Sequence, residues 1–192
     1  HRPVSGAGLL AIDQLRAIVA ELAEPWRWEA ATATFFEAHA LPVVEGNIAT
    51  FAVLAEADSV YLRHRINVWP DDLELSRIPG TDVWFLTMEL EWAARVEYQF
   101  EILRGGQWWR FNDPYNPRMA RSPLGESSVC HGPGYAVPDW ASFHTETEAG
   151  SLMELEVRSL AQGRDNRVTV YLPAGFEPSE RYPLLIVHDG GD

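Results

Sequence analysis

The chain has no lysine: all 15 basic residues of its 192 are arginine. Every side-chain cation is therefore a planar guanidinium able to grip a carboxylate or phosphate through two parallel bonds. A compositional bias of the genome explains the absence without invoking function. Cysteine is nearly absent too; Cys130 is the one example. An internal disulfide is excluded, and nothing points to an oxidising compartment. No apolar run approaches the roughly 20 residues of a membrane-spanning helix. The opening HRPVSGAG has no charged-then-apolar leader pattern and no initiator Met, which suggests trimmed ends. Positive charge is scarce as well, with a formal net charge of -13. A general nucleic-acid binder is disfavoured, because phosphate contacts need a basic face. The default expectation is a cytoplasmic protein without nucleic-acid or membrane partners.

What is present is globular: 46% hydrophobic and 11% aromatic residues. The stretch Ile78 to Leu90 organises the rest. After a Pro79-Gly80 turn its side chains alternate, with Trp84, Leu86, Met88 and Leu90 on one side and Val83, Phe85, Thr87 and Glu89 on the other. That period of two marks a strand with a well-buried face, and Trp84 demands a second layer to cover it.

Upstream, Leu9 to Leu22 carries an apolar stripe at helical spacing, and Pro25 stops it. Trp26 to His39 reads as a second helix, anchored by Phe35 and Phe36. From Asn47 the period becomes two. Ile48–Ala55 and Val60–Val68 read as strands joined by a polar turn, and Trp69–Gly80 as a breaker-rich connection. Val96–Leu103 and Gln107–Phe111 form a hairpin over Gly105-Gly106. Five short strands at this spacing suggest an immunoglobulin-like β-sandwich.

Asp113 to Trp140, rich in Pro and Gly and without sustained period, reads as a wrap over the domain surface. Beyond it, Ser151–Leu160 and Arg167–Leu172 make strands around a turn at Gln162–Asn166. Tyr182–Val187 is a continuous apolar run of the type buried on both faces of a parallel sheet. A strand of that type at a terminus has no sheet to join, so the chain looks cut inside a second domain.

Four segments in order carry a resemblance: Leu41-Pro42-Val43-Val44-Glu45; Arg77 to Trp84 followed by Thr87; Asn112-Asp113-Pro114-Tyr115-Asn116-Pro117; and Val168 to Pro173 before the Tyr182 run. Together they resemble the enterochelin esterase family from about Phe35 onward. The resemblance implies a mainly β chain with three parts: a helical extension (1–45), an early-set immunoglobulin-like sandwich (46–140) and the first strands of an incomplete α/β-hydrolase domain (150–192). It implies hydrolysis of the ester bonds of a catechol-bearing, iron-carrying siderophore, with no cofactor. The partners implied are the remainder of the hydrolase domain and a small ester substrate, with a homo-oligomer compatible. The family's Ser, acid and His would all lie past position 192. The chain holds no Gly-x-Ser-x-Gly; Gly125-Glu126-Ser127-Ser128-Val129 lacks the last glycine that a nucleophile elbow needs. The chain alone is expected to have no esterase chemistry.

Two candidate sites follow. Asp189, Gly190 and Gly191, after the Tyr182 run, sit where α/β-hydrolases place an oxyanion loop; the plainer reading is a strand-ending turn. Arg104, Arg110, Arg118 and Arg121 stand against Asp113 alone, with aromatics interleaved. Trp109, Arg110, Arg118 and Arg121 suit an anionic catecholate through stacking and cation–π contacts. The plainer reading is placed ahead: Trp108 and Phe111 are core, Trp109 faces away, and the arginines pair with acids such as Glu97, Glu101 and Asp113. Trp69 and Trp92 are expected to pack against the helical extension. No metal-ligand spacing is present. The alternative to a hydrolase is a stand-alone glycan-binding or interaction module using Trp69, Trp92 or Trp109 as a platform.

Overall fold

The computed structural model describes residues 8–22, 24, 27–122, 125–141 and 148–188. The chain divides into two compact units, His1–Ala136 and Val137–Asp192. The first is three layers deep.

Two helices, α1 (Ala11–Ala20) and α2 (Trp28–Ala38), lie on one sheet. That sheet has the order β1 (Val43–Glu45), β2 (Ile48–Leu54), β6 (Val83–Glu89), β5 (Ser76–Arg77). The second sheet runs β4 (Leu73–Glu74), β3 (Ser59–His64), β7 (Arg95–Arg104), β10 (Gly125–His131), β9 (Met119–Ser122), with β8 (Gln107–Phe111) also paired to β7. All pairings are antiparallel.

Strand β2 shows why the unit has three layers. Its alternate residues Ala49, Phe51 and Val53 enter the core between the sheets, with Trp84, Val60, Leu62, Tyr98 and Phe100. Ala52, on its other face, joins Val83, Ile78 and the helix residues Ile12, Leu15 and Phe35. Strand β6, in register with it (Val53↔Trp84, Ala52↔Phe85), does the same. The expected alternation around Trp84 therefore holds, each face covered by a different layer. The Trp84 indole N–H donates to the Ala55 carbonyl at 2.9 Å, which satisfies the polar end of a buried ring.

Thr50, fully buried between those positions, has a hydroxyl with no hydrogen-bond partner among the described residues. A buried hydroxyl stripped of water costs about 1–3 kcal/mol. Thr50→Val, nearly the same shape without the polar atom, is expected to stabilise the fold by about 1 kcal/mol. Chemical denaturation of the two proteins checks this; a less stable valine variant would show that the hydroxyl is satisfied in solution.

Several expected elements differ. The Val60–Val68 strand ends at His64, whose ring bonds the Pro70 carbonyl (2.9 Å) and accepts from the Ile66 amide (3.1 Å), turning the chain. The breaker-rich Trp69–Gly80 connection holds two short strands: β4 pairs with one sheet, β5 with the other, and buried Leu75 makes the crossing between them. Asp113–Trp140 is no surface wrap along its length, because β9 and β10 belong to the second sheet. Their inward positions include Ser128, polar but hydrogen-bonded, so no apolar period announces them.

The second unit contains an antiparallel hairpin of β11 (Ser151–Ser159) and β12 (Arg164–Leu172), as the sequence leads one to expect, though the second strand begins three residues earlier. Tyr182–Val187 is not a strand there. No strand partners it among the described residues, and Leu184 and Leu185 are each 84% exposed. An extended segment without a neighbour has nothing to pair its backbone groups.

Candidate functional site

Strand register decides which aromatic and basic side chains meet on the second sheet. Strands β3 and β7 pair with Tyr61 opposite Glu101 and Arg63 opposite Gln99, and β7 pairs with β8 with Glu101 opposite Arg110. Core residues Val60, Leu62, Tyr98 and Phe100 take the inner positions. Tyr61, Arg63, Glu101, Trp108 and Arg110 therefore share the outer face.

On that face Glu101 is gripped from both sides. Arg63 reaches Glu101 Oε2 through Nε (2.7 Å) and Nη2 (2.6 Å). Arg110 reaches Oε1 through Nη2 (2.6 Å) and Nε (3.0 Å). Burial opposes ionisation of Glu101, but the two guanidinium groups outweigh it and hold the carboxyl below its ordinary range. Arg63 also bonds the Asp71 carbonyl and stands 5.3 Å over the Tyr61 ring. The Tyr61 and Trp108 rings meet at 5.7 Å, tilted by 50°. The result is an aromatic pair, Trp108 exposed and Tyr61 half-buried, beside two fixed guanidinium groups that share one carboxylate. It offers ring faces for stacking, but an anionic ligand has to compete with Glu101. A depression of about 60 Å³ among Arg63, Glu97, Gln99, Arg110 and Ser127 has room for a water molecule or two, not for a siderophore.

The structure separates the four sequence-predicted residues. Trp109 is 56% exposed and lies opposite Ile102, on the other face from Arg110. Arg121 stands on β9 and is paired with Glu126 at 2.9 Å. Arg118 precedes β9, its amide donating to Asn116 Oδ1. The expectation that Trp108 and Phe111 are both core fails for Trp108, which is 53% exposed. Residues three apart on a strand point to opposite faces, so only Phe111, packed on Phe100, faces inward. Trp109 accordingly shares the side of Phe111, not the opposite one. Of the expected pairing partners Glu101 does take Arg110, whereas Glu97 pairs with Arg95 and, among the described residues, Asp113 pairs with no arginine. Tyr61 and Arg63 were missed by sequence reasoning, although Glu101 was foreseen as an arginine partner; parity along β3 and β7 was the signal that could have found them.

Trp69 packs at the edge of the sandwich core against His64 (5.2 Å), not on the helices. Trp92 is 69% exposed. Asp189, Gly190 and Gly191 lie outside the described residues. Among the described residues no group of three or more His, Cys, Asp or Glu is placed to hold a metal ion, and no helix is long and apolar enough to cross a membrane.

The Asn112–Pro117 segment is held by a network of buried hydrogen bonds. Asp113 Oδ2 accepts from the buried Tyr98 hydroxyl at 2.6 Å, and its Oδ1 accepts from the Tyr115 amide at 2.9 Å. Asn116 Nδ2 donates to the Tyr98 oxygen and to the Val129 carbonyl. This segment ties β7 to β10 and sets where Tyr115 stands beneath α2.

No protein-family model matches the sequence, and no curated protein matches it. Solved structures do. The ferric enterobactin esterase from Salmonella typhimurium is 18% identical with a TM-score of 0.53, over 71% of this chain and 45% of that one. The enterobactin esterase from Shigella flexneri, in the presence of 2,3-dihydroxy-N-benzoyl-glycine, is 21% identical with a TM-score of 0.43, over 64% and 38%. Pullulanase type I from Bacillus subtilis, complexed with maltose, is 19% identical with a TM-score of 0.40, over 56% and 14%. The chain spans less than half the length of the esterases it matches. At this identity the likeness is one of fold: a mainly β chain, its antiparallel sheets packed as a sandwich, with the ferric enterobactin esterase as a structural neighbour.

Proposed function

We propose that this chain is the front portion of a serine hydrolase of the enterochelin-esterase kind, cleaving carboxylic esters of catecholate siderophores, with the sandwich helping to form the substrate entrance. The observation that carries the reading is the fold likeness to the ferric enterobactin esterase from Salmonella typhimurium. It agrees with the order of the four sequence segments. In this reading the nucleophile, its base and its acid come from residues that follow Asp192. Asp189, Gly190 and Gly191 form the oxyanion loop, whose backbone N–H groups would face the charge developing in acyl transfer. The bare apolar side chains of Leu184 to Val187 are then one strand of a parallel sheet completed by that polypeptide. Trp109, Arg110, Arg118 and Arg121 remain candidates for substrate contact, and the enzyme would work in the cytoplasm.

The test has two arms. The 192-residue chain is expected not to hydrolyse p-nitrophenyl acetate above the buffer rate. The same chain continued through the polypeptide encoded past Asp192 is expected to do so, and to lose the activity when the serine of its nucleophile elbow becomes alanine. A coding sequence without such an elbow within about the next hundred residues, the scale of a domain, sinks the reading. A second reading, a glycan-binding module, is favoured by the exposed Trp108 ring and the half-buried Tyr61 ring beside it. Titration of tryptophan fluorescence with maltooligosaccharides and with a ferric catecholate separates the two: quenching by the glucan alone supports the second.

A further inference from the structure

A second hollow in the first unit lies away from the arginine-bearing sheet. It is a groove of about 580 Å³ between α2 and the far end of the first sheet, within the size range of small-molecule sites. One wall is a single face of α2, where Trp28, Thr32 and Phe36 recur at every fourth residue, accompanied by Glu29, Ala33 and Glu37. The other wall is Leu54, at the end of β2, and Tyr115.

Three features define what fits. The walls are aromatic: Phe36 and Tyr115 stack at 4.3 Å with 29° between their planes, and Trp28 stands two turns of helix away. The floor makes no polar demand, since the buried Thr32 hydroxyl already donates to the Glu29 carbonyl at 3.0 Å. The charge is of one sign: Glu29 and Glu37 both line the groove, no arginine does, and neither carboxylate is in an ion pair among the described residues. Aromatic ring faces present negative potential, so they and the two carboxylates attract the same ligand. Anions, ferric catecholates included, are repelled.

We propose that this groove binds a small organic cation with an apolar body, of the quaternary-ammonium type. The cationic head is held by ring faces with Glu29 and Glu37 as counter-charges, and the apolar body covers Leu54. The alkyl shell of such a cation suits aromatic walls, while a metal ion would need more oxygen ligands than the groove supplies. The inference does not depend on the esterase reading, and failure of either leaves the other standing.

Choline and 3,3-dimethylbutan-1-ol have nearly the same shape and differ in charge. Calorimetric titration of the 192-residue chain is expected to show saturable binding of choline, at least about 10-fold weaker for the neutral analogue. Benzyltrimethylammonium is expected to bind more tightly than choline, because its ring adds apolar contact. The exposed pair Glu29→Gln and Glu37→Gln is expected to weaken choline at least about 10-fold with the melting temperature unchanged. Ala33→Leu, which fills the groove from an exposed position, is expected to abolish binding. Equal affinity for the neutral analogue, no saturable binding of either cation, or undiminished affinity in the double glutamine variant overturns the proposal.

Discussion

Replacing Gly132 by alanine is expected to destabilise the first unit by about 3 kcal/mol and lower its melting temperature by roughly 10 °C. Gly132 follows β10, and its N–H donates to the Ala94 carbonyl at 2.7 Å; two residues on, the Gly134 N–H donates to the Trp92 carbonyl at 2.7 Å. Together they clasp the turn that joins β6 to β7. A Cβ on Gly132 would stand 2.5 Å from the Glu91 oxygen, 2.8 Å from the Trp92 oxygen and 3.0 Å from the Ala94 nitrogen. All three are backbone atoms, so no side chain can swing aside. Either the clasp opens and both bonds go, or the turn shifts and strains the β6–β7 connection. Gly134 supplies the control. The three atoms nearest a Cβ there all belong to the Trp92 indole, with Nε1 at 1.7 Å. Trp92→Ala should therefore restore stability to Gly134→Ala and leave Gly132→Ala unimproved. Equal rescue of both in a double-mutant cycle would refute the backbone argument.

The contrast between those two glycines is invisible in the sequence, where both read as breakers in a Pro- and Gly-rich stretch. The same limit recurs along the chain. The alternation from Val83 to Leu90 was legible because apolar layers cover both faces of β6, so the residue types obey the period. Strands β9 and β10 were not legible, because Ser128 and its neighbours Asp113 and Asn116 are buried through hydrogen bonds, and a hydrophobicity pattern does not register satisfied polar groups. The crossing at Leu75 uses strands of two residues, too short to show any period. Tyr182–Val187 shows the opposite failing. Its residues have strand propensity, but a strand exists only with a partner, and propensity carries no information about partners. At the candidate site the arginines were legible and their faces were not. Applying strict parity to Trp108, Trp109 and Phe111 would have sent Trp108 outward to Tyr61, and with it Arg110 to Glu101. The groove beneath α2 depended on Tyr115 being carried there by the Asp113 loop, a tertiary consequence of Asn112–Pro117 that no local pattern specifies.

Removing the Asp113 carboxylate is expected to cost about 3–5 kcal/mol, the largest effect of any single polar substitution in the first unit. Asp113→Ala leaves the fully buried Tyr98 hydroxyl and the Tyr115 amide without their acceptors, and the loop that Ser128 and Asn116 hold loses its centre. Tyr98→Phe removes the donor instead, so the two changes share one interaction. The double variant should be clearly less unstable than the sum of the singles; additivity would mean the pair does not couple. The pH dependence has a definite sign. Burial pushes the Asp113 carboxyl above its ordinary range, although the bonds from Tyr98 and Tyr115 pull the other way. Burial and the neighbouring Asp113 charge push Tyr98 up as well, so its hydroxyl stays a donor throughout the accessible range. The folded state therefore binds the Asp113 proton more readily than the unfolded chain does. The stabilisation linked to it is complete below the ordinary carboxylate value near pH 4 and is lost as pH rises through the higher folded value. Glu101, held low by Arg63 and Arg110, behaves oppositely and loses its contribution on acidification. Comparing the protein with Asp113→Asn isolates the first group: the stability difference between them should shrink from pH 4 toward pH 7. A difference that widens over that interval would mean that the carboxylate is stabilised in its charged form by the fold, and that the Tyr98–Asp113 pair is wetter than its burial indicates.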